Sequence, residues 1–255
     1  MTGWYSFFKI VVVRPAVKYW FRVEITGAEK VPGTGCILAA NHLDVGDTFS
    51  LPALVRPTVV FPAKRELFEG RTLKGRALAR VLRAIGQTPI DRSGGRASAS
   101  GLGSVEVVLE AGGTVGIFPE GTRSPDGRLY KGKTGVARLA LASGKPVLPV
   151  GVINTRLMRN RIGLPVMMDH PRIIIGDPLD FSAWAGQESD HKVLRWVTNE
   201  VMGAIKALTD QPYVDAYASR VKYGDLASKD TSSLELDHPN QGVSQPPIIA
   251  QRTEG

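Results

Sequence analysis

Two short stretches hold residue types that can do chemistry together. Asn41-His42-Leu43-Asp44-Val45-Gly46-Asp47 sets an imidazole two residues before one carboxylate and five before another. Phe118-Pro119-Glu120-Gly121-Thr122-Arg123-Ser124 sets a carboxylate and a guanidinium on a turn that Pro119 and Gly121 force out of regular structure. An imidazole oriented by a carboxylate is a general base, and a guanidinium can grip a phosphate bidentately. Those parts would activate a hydroxyl on a phosphorylated acceptor. Asp44 and Asp47 both compete for the imidazole. Five residues of α-helix turn through about 500°, so His42 and Asp47 cannot share a helical face. His42 therefore belongs in a strand-to-helix loop, with Asp47 in the first helical turns, where its side chain can reach back.

Plainer readings stand beside these. His-x4-Asp is short enough to arise by chance, and His42 could simply cap a helix. Glu120 and Arg123 could form an ion pair that holds their own loop. A covalent nucleophile finds no support: there is no Gly-x-Ser-x-Gly elbow, and the single cysteine, Cys36, lies inside an apolar run. Gly144-Lys145-Pro146 lacks the loop that would make it a phosphate-binding P-loop.

Both stretches follow short apolar runs of the buried-strand type, residues 36–40 and 114–118. Further strands are expected at residues 22–26, 58–61, 88–90, 147–153 and 172–175. Helices are expected at 73–85, at a segment ending near 110, at 134–143 closed by Gly144, and at 190–208. Strands alternating with helices predict an α/β fold with a central mixed, largely parallel sheet flanked by helices. In such sheets ligands lie beyond the carboxyl ends of the strands, where both stretches fall. Lys64 follows a strand end in the same way, and Arg92 follows the short strand at 88–90, so both are phosphate candidates. Other bases nearby, from Arg65 to Arg83, are expected to face solvent or membrane.

The chain of 255 residues is 43% hydrophobic and carries a net charge of +8, an ordinary globular composition with a basic bias. One cysteine allows no intrachain disulfide and no cysteine zinc site. Five acids and two bases follow Gly224, which leaves thirty bases against nineteen acids before it. The basic body implies an anionic partner: nucleic acid, an acidic membrane surface or phosphate-bearing substrates. No nucleic-acid module is visible, and none is expected as partner.

Residues 1–22 read as an amphipathic helix that associates with a membrane, kinked at Pro15. Trp4, Phe7, Phe8, Tyr19, Trp20 and Phe21 mix with Lys9, Arg14, Lys18 and Arg22, the last three spaced to share one helical side. The alternative is that this helix packs on the domain's own core. The longest apolar run, Ile10 to Val13, is far too short to span a bilayer, and no secretory signal is expected. Residues 23–223 form the main domain, and residues 224–255, polar and aperiodic, are expected to be a disordered tail.

Taken together these stretches resemble the glycerolipid acyltransferase family, of the 1-acylglycerol-3-phosphate acyltransferase (PlsC-like) type, over residues 31–176. Asn41-His42-x4-Asp47 looks like its first motif. Lys64-Arg65-Glu66-Leu67-Phe68 with Gly86 to Arg92 looks like its second, Phe118 to Ser124 its third, and Val147-Leu148-Pro149-Val150 its fourth. The resemblance selects Asp47 over Asp44 as the partner of His42. It implies acyl transfer from acyl-CoA or acyl-carrier protein to a hydroxyl of lysophosphatidate, giving phosphatidate, with His42 as general base and Asp47 orienting it. Glu120, Gly121 and Arg123 would bind the acceptor, supported by Lys64 and Arg92. No cofactor or metal is implied. The partners would be the thioester donor, the phosphorylated glycerol acceptor and a phospholipid surface, with the enzyme peripheral or monotopic at the cytoplasmic face of the cell membrane. Acylation of glycerol 3-phosphate or another lysophospholipid, a CoA-independent transacylase and a non-catalytic lipid-binding protein are the alternatives. Asp44 departs from the smaller or uncharged residue common in relatives, and it adds a second acid beside the base.

Overall fold

The apolar runs become strands of one seven-stranded sheet. The computed structural model describes residues 9–64, 76, 87–90, 105–167, 170–246 and 248. In chain order the strands are β1 (Glu24–Thr26), β2 (Ile37–Ala40), β3 (Val59–Lys64), β4 (Gln87–Ile90), β5 (Thr114–Ile117), β6 (Leu129–Tyr130) and β7 (Val147–Ile153). They continue with β8 (Leu157–Arg159), β9 (Pro165–Met167), β10 (Arg172–Ile175), β11 (Tyr213–Val214) and β12 (Glu235–Leu236). The helices are α1 (Val45–Leu54), α2 (Gly135–Ser143), α3 (His191–Thr209) and α4 (Ala218–Tyr223). Residues 105–110 are also helical.

The sheet runs in the order β1-β10-β7-β2-β5-β3-β4. From β7 to β4 all neighbours are parallel, while β10 is antiparallel to β7 and β1 runs parallel to β10. This is the mixed, largely parallel sheet expected. Strand β2 lies between β5 and β7 and is buried on both faces. Its side chains alternate between two cores, as the two-residue repeat of a strand requires. Ile37 and Ala39 pack with α2 and α3, including Val136, Leu139, Val197 and Val201. Cys36, Leu38 and Ala40 pack with Leu51 of α1 and with Val17 of the N-terminal helix. Cys36 thus sits in a core, where burial pushes its thiol up to about 11.

The N-terminal segment winds as a wide helix at Lys9–Val13 and Ala16–Trp20, closed by an i→i+5 bond from Phe21 N–H to Ala16 O. Val17 is buried in the core and Phe21 packs on Phe49, while Ile10, Val11, Val12, Tyr19 and Trp20 remain exposed. The Lys9 ammonium donates to Val55 O and Pro57 O at the end of α1, and burial with Arg14 nearby pulls its pKa down to about 8. Among the described residues no helix is long and apolar enough to cross a membrane.

The expectation of a disordered end from Gly224 is corrected by the structure as far as Pro246. Strand β12 pairs antiparallel with β11, which pairs with β6, to make a small second sheet. Asn199 and Asn240 bind the tail to α3 through Pro239 O, Trp196 O and Glu200. The bare Gly203 leaves room for the His238 ring, which a Cβ there would meet at 2.4 Å. Polar side-chain bonds and the isolated Leu234 and Leu236 carry this docking, a mixture with no hydrophobic period to read. The hairpin β8–β9 and helix α4 are likewise elements that periodicity did not mark.

Candidate active site

His42 stands in the loop after β2, and Asp47 lies in the first turn of α1, as the spacing requires. Asp44 adopts an extended N-cap conformation at the start of that helix. His42 Nδ1 lies 2.9 Å from Asp47 Oδ2. The same oxygen accepts the amides of Leu43 at 2.6 Å and Asp44 at 2.9 Å. The other carboxylate oxygen, Oδ1, accepts the Thr155 hydroxyl. Asp47 is fully buried, so these four donors replace the water its charge would otherwise hold. With Nδ1 taken, Nε2 is the imidazole nitrogen left for a substrate, and the ring retains 14% exposure.

Packing locks the ring plane as well. Phe118 stacks on His42 with centroids 4.0 Å apart and planes 16° apart, and Phe61 stacks on Phe118 at 5.2 Å. Phe61 reaches this position because residue 116 is glycine: a Cβ there would fall 2.2 Å from its ring. Gly46 serves α1 in the same way, since its Cβ would meet Thr155 O at 2.2 Å. That close approach lets Thr155 reach Asp47.

Strand β5 runs parallel to β2 and delivers the second stretch to the same sheet edge. The two loops are tied directly: Ser124 N–H donates to His42 O at 2.8 Å, and His42 N–H donates to Glu120 Oε1 at 3.0 Å. Glu120 Oε2 accepts Tyr130 N–H at 3.1 Å. Glu120 is only 1% exposed, and burial pushes its pKa up to about 8 against the two amide bonds that favour its carboxylate. Its geometry is that of a clasp holding the His42 loop to β6. It does not pair with Arg123, so the intraloop ion pair considered above is not formed.

Arg123 instead donates from Nη1 to Asp44 Oδ1 at 3.0 Å and is 47% exposed. Asp44 also accepts Leu157 N–H at 3.0 Å through Oδ2. Desolvation pushes the Asp44 carboxyl up, but bonds from the Val45 and Leu157 amides and from Arg123 outweigh it and hold the group below its ordinary value. The two acids beside His42 are thus sorted: Asp47 engages the imidazole, and Asp44 engages the guanidinium. Gly121 turns the chain at φ 72°, and the Lys133 side chain covers it at 3.0 Å from where a Cβ would stand. Strand β3 brings the backbone of Lys64 to the edge of the sheet shared by both loops, but its side chain lies outside the described residues, as does Arg92.

Sequence reading did not mark Thr155 at all, and it placed Asn41 in the first motif without giving it a role. Thr155 sits 108 positions from Asp47 and carried no local signal. Asn41 is fully buried and fixes the end of β2 to β7, donating to Val152 O and Gln211 Oε1 and accepting Val152 N–H. A polar residue closing an apolar strand was the one clue to it. A groove of about 360 Å³ opens beside the paired loops, lined by Leu43, Ser124 to Gly127, Asn154, Arg156 and Gln211 among others.

Known proteins resemble this chain in sequence and in fold. Residues 22–153, more than half of the chain, match the family described as Acyltransferase. A 1-acyl-sn-glycerol-3-phosphate acyltransferase of Pseudomonas aeruginosa is 36% identical over 130 residues, covering 51% of this chain and 48% of that protein. A chloroplast 1-acyl-sn-glycerol-3-phosphate acyltransferase of Brassica napus is 30% identical over 165 residues, covering 63% of this chain and 46% of that protein. The matches thus span about half the length of these relatives. The crystal structure of PlsC, the 1-acyl-sn-glycerophosphate acyltransferase of Thermotoga maritima, is similar with a TM-score of 0.55 at 25% identity, over 81% of this chain and 87% of that one. The family match spans His42, Asp47, Glu120 and Arg123 together, and this chain belongs to the acyltransferase family.

Proposed function

We propose that the chain is a membrane-associated acyltransferase that moves a fatty acyl group from a thioester donor, acyl-CoA or acyl-carrier protein, to lysophosphatidate to give phosphatidate. The observation that carries this reading is the 2.9 Å pair between His42 Nδ1 and Asp47, which leaves Nε2 as the nitrogen for a substrate hydroxyl. In the proposed reaction Nε2 takes the proton of the acceptor hydroxyl. The oxygen attacks the thioester carbonyl, a C–O bond forms and the C–S bond breaks, and the imidazolium returns its proton to the thiolate. A thioester is already activated, so general-base action of about 10²–10⁴-fold on positioned reactants is sufficient chemistry. Arg123, half exposed at the mouth of the site, is the phosphate ligand of this proposal, released by Asp44 when the acceptor arrives. The names of the similar proteins support the choice of acceptor. The aromatic and basic N-terminal helix supports work at a membrane surface, peripherally and on the cytoplasmic face.

The test offers the purified protein a palmitoyl thioester with lysophosphatidate and glycerol 3-phosphate in parallel, beside His42→Ala. Phosphatidate formed by the wild type alone is the expected result. Product from glycerol 3-phosphate alone would keep the mechanism and change the acceptor. Turnover by His42→Ala near the wild-type rate would overturn the general-base role.

A further inference from the structure

The β8–β9 hairpin touches the site at its base, through Leu157 N–H on Asp44, yet at its far end it holds out an apolar tip. Among the described residues its strands pair with each other and not with the main sheet. Its turn is closely bonded: Asn160 N–H donates to Leu164 O, and Asn160 Oδ1 accepts the amides of Ile162 and Leu164. Arg159 adds a bond to Gly163 O. This ordered turn presents Ile162 at 78% exposure, with Leu164 and Met158 also exposed. Apolar groups left in water gain nothing on folding, so an ordered tip that displays them points to a surface that covers them.

The hairpin is also joined to the N-terminal helix. Trp20 Nε1 donates to Pro165 O at 2.9 Å, which brings the exposed Trp20 and Tyr19 up to the hairpin. Arg14 and Lys18 are exposed on the helix, Arg22 is exposed just past its end, and Arg159 and Arg161 flank the hairpin tip. Neither residues 9–23 nor residues 155–168 include an acid. Aliphatic tips, Trp and Tyr, and unopposed arginines match the layered chemistry of an anionic lipid interface.

We propose that the β8–β9 hairpin is a second membrane-docking element, which seats with the N-terminal helix on a leaflet containing anionic phospholipid. Its base adjoins the site: Leu157 N–H binds Asp44, and Thr155 binds Asp47. Docking the tip therefore holds the catalytic loops at the lipid surface, where the acceptor of the proposed reaction resides. This purpose rests on the acyltransferase reading, whereas the docking itself is measured without turnover.

Full-length protein is sedimented with phosphatidylcholine vesicles with and without phosphatidylglycerol, beside Ile162→Ser/Leu164→Ser and Arg159→Gln/Arg161→Gln. Partition onto the anionic vesicles is expected to fall on the order of tenfold for the serine pair. For the glutamine pair it is expected to fall on the order of twentyfold at low salt, with the difference shrinking at high salt. Turnover of a water-soluble short-chain lysophosphatidate stays at the wild-type level in both, which also shows that they fold. A solvatochromic dye on Ile162→Cys is expected to shift blue on anionic vesicles. Wild-type partition by both pairs overturns the proposal. So does vesicle-independent self-association lost in the serine pair with partition unchanged, which would assign the tip to a second copy of the chain. Loss of turnover by every variant and the wild type alike would instead fault the acyltransferase reading and leave the docking result standing.

Discussion

Arg123 Nη1 lies 3.0 Å from Asp44 Oδ1, so the cation proposed to meet the acceptor phosphate is held by a carboxylate two residues from His42. A phosphate that takes the guanidinium edge carrying Nη1 competes with that carboxylate. The pair is partly exposed and screened, and contacts of this kind contribute up to about 1 kcal/mol. Asp44→Asn keeps an N-cap side chain and an acceptor for Leu157 N–H. It is expected to lower the acceptor KM up to about fivefold with kcat little changed. Initial rates against acceptor concentration check this, and a raised KM would show that Asp44 helps to bind the acceptor.

Thr155 and Asp47 offer a test of positioning apart from the chemistry. Thr155→Val keeps shape and removes the hydroxyl that Asp47 Oδ1 accepts, leaving a buried carboxylate oxygen without that donor. The expected cost is about 1–3 kcal/mol of stability. A looser Asp47 should lower kcat about tenfold, within the range of general-base catalysis, at constant KM. Thr155→Ser is expected to restore both. Denaturant midpoints and steady-state rates for the three proteins decide it, and a serine variant as slow as the valine variant would assign the loss to packing.

Glu120 links stability to pH. Burial raises its pKa from the ordinary 4.5 to about 8, so the folded state holds the proton more tightly than the unfolded chain. Its contribution is therefore complete below about pH 4.5 and is lost as pH rises towards 8. The stability advantage of the wild type over Glu120→Gln should shrink across that window. Comparing the two proteins cancels the titration of groups they share. An advantage that instead grows with pH would mean that the two amide bonds outweigh burial and hold the carboxylate charged.

The packed tail makes a further prediction. Arg128, four residues past Ser124, donates to Glu235 at 2.9 Å and to Thr231 at 2.8 Å, besides Asp126 in its own loop. Ending the chain at Gly224 removes Thr231, Glu235 and strand β12. The truncated protein is expected to melt lower and to exchange the amides of β6 and the Ser124–Arg128 loop faster. Unchanged exchange there would show that the tail packs without supporting the loop.

Much of this architecture was legible along the chain because its signals are local. Apolar runs marked the strands, and a run closed by Gly144 marked α2; the helix expected at 73–85 lies, but for residue 76, outside the described residues. Strand-to-loop placement marked His42 and Glu120, since parallel strands must deliver their carboxyl ends to one edge. The five-residue spacing already required His42 in a loop with Asp47 on a helix. Short strands such as β6, β8 and β12 were not legible, because two or three residues carry no measurable period. The tail was missed for a related reason, since scattered polar bonds and isolated leucines such as Leu234 and Leu236 hold it.

The sequence by itself determined the residue types of the site, the order of the strands that carry them and the family to which the chain belongs. The family resemblance already chose Asp47 over Asp44 for the imidazole. Whether Glu120 meets Arg123 or two backbone amides, what Asp44 binds instead, and which hydroxyl completes Asp47 were decided by tertiary structure alone. The reason is physical. Each choice depends on distances between loops far apart in the chain, and on how much water burial removes from each charge. Spacing records neither quantity, and only the packing of α1, β7 and the β5 turn around β2 sets both.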